Sequence, residues 1–172
     1  VAAALYLLYL SMNIVGQAFL SFQWDALLLE AGFAAILLAP SGLWPRYTAE
    51  PPKISRWVLR LLIFRLMLES GAVKLLSGDP TWRGLTALNF HYETQPLPTP
   101  LAWYAHKLPE ALQKFSVGAV FFVELAVPFL FFMPRRLRIF GACSTIVFQL
   151  IIAPPATYTL FYLLTIVLCI TL

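Results

Sequence analysis

Between Ser77 and Lys114 the chain gathers the side chains best able to do chemistry. Within GDPTWRGLTALNFHYETQPLPTP, Gly78 to Pro100, stand Trp82, Arg83, Asn89, His91, Tyr92, Glu93 and Gln95, with Trp103 just beyond. His91 lies two residues before Glu93, and a carboxylate beside an imidazole can orient it for acid/base work. The other reading of His91 is a hydrogen-bonded structural histidine that ties the segment to a membrane surface. Asn89, His91, Glu93 and Gln95 alternate with Phe90, Tyr92 and Thr94, so an extended run is expected to carry the four polar groups on one face. Asp79 followed by Pro80 predicts the start of a short helix, with Asp79 as its cap and Trp82 at the membrane interface. Leu101 to Phe115, with Trp103, Tyr104, His106 and Lys107, reads as one amphipathic interfacial helix.

A second set of reactive groups sits inside apolar runs: Asp25, Glu30, Arg65, Glu69, Lys74 and Glu124. A charge among lipid tails costs roughly 2.5–3.5 kcal/mol on insertion scales, so each is expected to face other helices or water. Counting about 1.5 Å per residue from the non-cytoplasmic ends puts Asp25 and Lys74 near that interface. The same count places Glu30 and Glu69 about 10 Å in, and Arg65 and Glu124 about 15 Å in. Arg65 and Glu124 are therefore the expected pair across helices, and Arg65 and Glu69, four apart, can pair along one helix. Lys74 is on roughly the opposite side of that helix from Arg65 and is expected to point towards Asp25 or an exposed pocket. Three roles fit such charges: glue between helices, a proton or substrate relay, and a membrane-facing pocket. The glycine-interrupted half-helices that mark transporters are not seen in matched positions.

No Ser/His/Asp set, glycine-rich phosphate loop or zinc spacing can be assembled, so neither a metal nor a cofactor is expected. Cys143 and Cys169 fall within apolar runs and read as free thiols. The formal charge of +4 reports basic loops rather than a nucleic-acid footprint.

The elements that must hold these groups are membrane helices. Sixty per cent of the 172 residues are apolar and 12% charged, and mean hydropathy is +0.80. Runs near the roughly 20 residues needed to span a bilayer recur, without the alternation of barrel strands. The expected fold is all-α: a polytopic bundle of about six spans at 2–20, 24–43, 56–76, 115–133, 137–153 and 157–172. Residues 1–172 read as one transmembrane domain, expected to be a fragment at both ends, with 77–114 as a polar insertion. Arg46, Lys53 and Arg56 flank one loop and Arg135, Arg136 and Arg138 another, which places both in the cytoplasm and 77–114 on the opposite side.

SFQWDALLLEAGF (Ser21–Phe33), FRLMLESGAVKLLSGDPTWRGLTALNFHYETQPLPTPLAWY (Phe64–Tyr104) and LLTIVLCITL (Leu163–Leu172) resemble the lipase maturation factor family. The resemblance covers nearly the whole chain, and HYETQPLPTP is its most specific string. It implies a polytopic membrane protein, in animals a factor of the endoplasmic reticulum that helps secreted lipases fold and assemble. A bacterial relative would sit in the inner membrane. IAPPATYTLFY, Ile152 to Tyr162, departs from the glycine- and asparagine-bearing turn of that family. The expected partners are the lipid bilayer and a secreted lipase client. Trp82, Tyr92 and Trp103 would supply apolar contact, and Arg83, Asn89, His91, Glu93 and Gln95 would fix the loop or the client. Ala72-Val73-Lys74-Leu75, with Trp82 and Gly84, is more distantly similar to vitamin K-dependent carboxylase, in which the matching lysine acts as a base. The alternative this raises is a membrane enzyme with Lys74 as catalytic base.

Overall fold

Helix-forming, apolar sequence dominates, and every regular element is helical in the computed structural model, which describes residues 1–39, 52–156 and 158–172, the side chain of Thr159 apart. Arg46 and most of its loop lie outside the described residues. The chain divides into two compact units, Val1–Leu62 with Thr171, and Ile63–Ile170 with Leu172.

The first unit contains helix α1 (Ala2–Gly16), a 3-10 turn (Gln17–Leu20), helix α2 (Gln23–Leu38) and the first turns of helix α3 (Lys53–Leu76). Its hairpin is closed by polar atoms that would otherwise be orphaned. Asn13 Nδ2 donates to the Leu20 carbonyl at 2.8 Å. Asp25, in the first turn of α2, accepts from the Phe22 backbone N–H at 3.2 Å and from the Tyr9 hydroxyl at 2.8 Å. One carboxylate thus serves half of a capping box and also joins α1 to α2; Phe22 has no side-chain acceptor to complete the box. Ser55 Oγ donates to the Leu37 carbonyl at 2.7 Å, satisfying an acceptor in the last turn of α2.

The second unit continues α3 through the short helices α4 (Pro80–Arg83), α5 (Ala87–Thr94) and α6 (Pro100–His106). Helix α7 (Glu110–Phe121) follows, then a π turn (Phe122–Ala126), a 3-10 segment (Val127–Phe132), α8 (Arg135–Ile152) and α9 (Thr159–Ile170). Ile63, Met67 and Gly71 share the inward face of α3, and Val117, Val127, Phe131 and Leu168 fill the core. α8 packs against both the 3-10 segment and α9. The change of winding after α7 has a local cause. Pro128 offers no N–H to the Glu124 carbonyl four residues back, and its ring crowds that carbonyl. The helix widens, and the Val127 N–H bonds to Phe122, five residues back.

Two sequence expectations change here. Residues 87–94 form a helix rather than an extended run, because no proline falls between Pro80 and Pro96. The inward side chains are Leu88, His91, Tyr92 and Gln95, a helical spacing that the polar alternation masked. The single helix expected over Leu101–Phe115 is two, since Pro109 ends α6's continuation and caps α7.

A helix lies within each of the six expected spans, among the described residues. Among the described residues only Ala2–Leu20 and Glu110–Phe132 are both long and apolar enough to cross a membrane on composition alone, with Leu160–Ile170 a shorter apolar helix. The others fall short for visible reasons. α3 carries Arg56, Arg60, Arg65, Glu69 and Lys74, α8 opens on Arg135, Arg136 and Arg138, and α2 is 16 residues long.

Gly71 sets the approach of α3 to the π turn. A Cβ there would lie 2.6 Å from Leu125 Cδ2 and 3.0 Å from Glu124 Cβ, whereas a Cβ on Gly118 meets nothing within 4 Å. Gly71→Ala is expected to lower stability by about 1–3 kcal/mol through overpacking. Gly118→Ala should be neutral or stabilising by up to about 1 kcal/mol. Thermal unfolding of the two variants in detergent measures the contrast.

Candidate functional site

Lys74 lies in the last turn of α3, one turn beyond Gly71 and on the same face. Its Nζ donates to Glu124 Oε1 and Oε2, each at 2.7 Å, and to the Ser70 carbonyl at 3.1 Å. An ammonium has three N–H donors, and here all three meet acceptors. The Lys74 side chain is 24% exposed and that of Glu124 7%. Trp82 covers the pair, its ring centroid 5.5 Å from Nζ, and itself meets Phe121 edge-on at 5.9 Å.

The cation that closes on Glu124 is thus Lys74 rather than Arg65. Depth counted from the start of the fourth apolar run put Glu124 level with Arg65. The two helix ends are not level: α7 begins at Glu110, beyond the level at which α3 ends, so that Gly71 stands against Glu124. Arg65 pairs with Glu69 at 3.6 Å, and both side chains are well exposed. The Lys74 ammonium is taken up by Glu124 and the Ser70 carbonyl rather than by Asp25 as expected, and the Asp25 carboxylate serves Tyr9 and Phe22. Glu30 is half-buried on α2.

Trp82 is set in place by the turn before it. Asp79 accepts from the Thr81 backbone N–H at 2.8 Å and its hydroxyl at 2.7 Å, and these bonds hold its carboxyl below its ordinary 3.8. Pro80 takes the first helical position, as the sequence predicts. Arg83 Nη2 reaches back to the Leu75 carbonyl at 3.2 Å, binding α4 to the end of α3.

The α5–α6 pair is joined by a different carboxylate–imidazole contact from the one expected. Glu93 Oε1 lies 2.8 Å from His106 Nε2, not beside His91, because helical winding turns residues two apart to different faces. His91 rests against Tyr92 with ring centroids 5.9 Å apart. Burial, and then the Lys74 charge, hold His91 below its ordinary 6.5, and burial raises Tyr92. Asn89 is half-buried in the first turn of α5, its N–H bonded to the Thr86 carbonyl at 3.0 Å.

Two side chains fasten this segment to the α8–α9 connection. Gln95 Nε2 donates to the Pro155 carbonyl at 3.1 Å and Thr99 Oγ1 to the Pro154 carbonyl at 3.0 Å. Gln113 Nε2 donates to the Ala105 carbonyl at 2.6 Å, holding the end of α6 on α7. The sequence reading missed Gly71, Thr99, Gln113 and the two proline carbonyls. Thr99-Pro100 is a legible helix start, but no sequence pattern says which distant carbonyl a buried glutamine will meet. Trp103 stays exposed beside Tyr104, with Lys107 Nζ 5.4 Å from its centroid. Among the described residues no three His, Cys, Asp or Glu are grouped to hold a metal ion.

Residues 1–172 match the model of the lipase maturation factor transmembrane domain over their full length. The chain belongs to the lipase maturation factor family. It is 55% identical to lipase maturation factor 2 of Gallus gallus over 174 residues, covering 99% of this chain and 24% of the relative. Human lipase maturation factor 2 is 50% identical over 177 residues, covering 95% of this chain and 25% of the relative. Lipase maturation factor 1 of Mus musculus is 43% identical over 166 residues, covering 95% and 29%. The chain therefore spans about a quarter of the length of the curated relatives it matches. No solved structure matches. For a lipase maturation factor, a transmembrane domain together with two long apolar helices makes this a membrane protein.

Removing one member of a buried ion pair strands the other, at a cost of roughly 3 kcal/mol. Lys74→Met should therefore destabilise the protein strongly in thermal unfolding, and Lys74→Met with Glu124→Leu should recover a substantial part of the loss. The sign of the His91 effect follows from its depressed value. Stability is fully present above pH 6.5, where both folded and unfolded chains carry neutral His91, and is lost as pH falls through the lower folded value. Unfolding temperature should drop between about pH 7 and pH 5, and less steeply in His91→Gln.

Proposed function

We propose that the chain is the membrane-embedded part of a lipase maturation factor, and that residues 77–114 meet a folding lipase client on the non-cytoplasmic side. In this reading residues 1–172 form one transmembrane domain and all six long helices cross the bilayer. In a eukaryote the membrane is that of the endoplasmic reticulum. The bonds of Gln95 and Thr99 to Pro155 and Pro154 support the topology, since they require 77–114 and the α8–α9 connection to lie on one side. Arg135, Arg136 and Arg138 then fall on the opposite, cytoplasmic side, in keeping with the bias of short basic loops.

The observation that carries the proposal is a fixed segment with an apolar outer surface. Gln95, Thr99, Gln113, Arg83 and the Lys74–Glu124 pair fasten it from within. Phe90 nevertheless projects outward from α5, and Leu97 beyond it is 72% exposed. Apolar side chains held out on a rigid support can receive the unassembled apolar surface of a client without bond chemistry. Trp82, Tyr92 and Gln95 then shape the support, Arg83 and Glu93 fix it through Leu75 and His106, and Phe90 and Leu97 face outward. Lys74 Nζ is already engaged by both Glu124 oxygens and the Ser70 carbonyl and is covered by Trp82, which favours anchoring over catalysis.

Secreted lipase activity in cells lacking the maturation factor tests this. The full-length parent protein should restore activity. The parent carrying Phe90→Ser and Leu97→Ser should restore several-fold less at equal membrane abundance. Equal rescue by both would remove these side chains from client contact.

A further inference from the structure

Helix α6 divides sharply into two faces. Ala102 is fully buried, while Trp103 and Tyr104 beside it are 59% and 65% exposed. Gln113 clamps the end of α6 to α7, so the two helices present their outer surfaces together. On α7 the exposed large apolar side chains follow helical spacing: Leu112, Phe115 and, in the π turn, Phe122, with Leu108 just before the helix. Gln113, Val117, Val120 and Glu124 take the opposite, buried face. An apolar stripe therefore runs from Phe122, in the middle of the long apolar segment Glu110–Phe132, past the half-exposed Gly118 and Ala119 to Phe115, Leu112 and the foot of α6.

The composition changes along that stripe. At Phe122 and Phe115 it is purely apolar; at α6 it becomes tryptophan, tyrosine and lysine. Amphipathic rings and a snorkelling lysine are what the boundary between acyl chains and headgroups selects. The charge pattern agrees. Glu110 is paired with Lys114 at 2.8 Å, and Glu93 with His106. Lys107 lies over the Trp103 ring and, among the described residues, has no carboxylate partner. An exposed cation on an aromatic face fits the phosphate of a lipid headgroup.

We infer that α6 lies in the plane of the non-cytoplasmic leaflet, with Trp103 and Tyr104 seated at headgroup level and Lys107 directed to lipid phosphates. The partner is the lipid surface itself. Trp103 then belongs to lipid rather than to the client, and the client-facing surface is confined to the α5 side of the segment. The placement rests on α7 crossing the bilayer, as proposed above.

The test replaces Trp103, Tyr104 or Phe122, one at a time, by a benzophenone amino acid in the full-length parent protein in native membranes. After irradiation, intact-mass analysis reads the adduct. All three side chains are exposed, so the substitutions leave the packing intact. The expected result is a phospholipid adduct at 103 and 104 in yield within about threefold of that at 122. An adduct at 122 with none at 103 and 104, or cross-links from 103 and 104 to protein, would overturn the placement of α6 and leave α7 in the bilayer. Absence of lipid adduct at all three would overturn the crossing of α7 and the placement with it.

Discussion

A lysine ammonium and a glutamate carboxylate meeting in apolar surroundings is the constraint on which the second unit depends. Lys74 ends α3, and Glu124 sits where α7 loses regular winding. Each ion alone would be costly to bury, so each requires the other's position. Gly71 removes the bulk that would keep them apart, and Pro128 produces the turn that carries Glu124. Trp82 closes over the cation, which fixes α4 against the ends of α3 and α7. From there α5 and α6 are held by Glu93–His106, by Gln113 and by the two proline carbonyls.

This arrangement turns a proline-rich segment into a support. Prolines at 80, 96, 98, 100 and 109 confine each helix to about two or three turns or less, and helices so short gain little from propensity alone. Their order comes from polar side chains reaching distant backbone carbonyls, which satisfies acceptors and ties elements far apart in sequence. The apolar side chains left outside are then free to face a partner. On α5 the proposed partner is a folding client; on α6 it is lipid.

Much of this was legible in the sequence. The helical class follows from composition, the start of α4 from Asp79-Pro80, and the Arg65–Glu69 pair from their spacing of four. The angle along α3 correctly separated Lys74 from Arg65. What the angle does not reveal is which face meets another helix. Ile63, Met67 and Gly71 already marked that face at helical spacing, and Lys74 continues it. The alternation from Asn89 to Gln95 misled because a two-residue polar rhythm also fits a helix whose inward positions are Leu88, His91 and Gln95. The partners of Gln95 and Thr99 lie some 55 to 60 residues away, and only the fold brings those carbonyls to them.

The most direct test of the central claim is backbone amide hydrogen exchange on the full-length parent protein and its Lys74→Met variant, read at residues 80–106 and at α9. If the Lys74–Glu124 pair organises the segment, exchange in 80–106 accelerates at least tenfold in the variant while α9 stays protected. Unchanged exchange across 80–106 in a folded Lys74→Met protein would contradict the account, leaving the pair a local contact on which the segment does not depend.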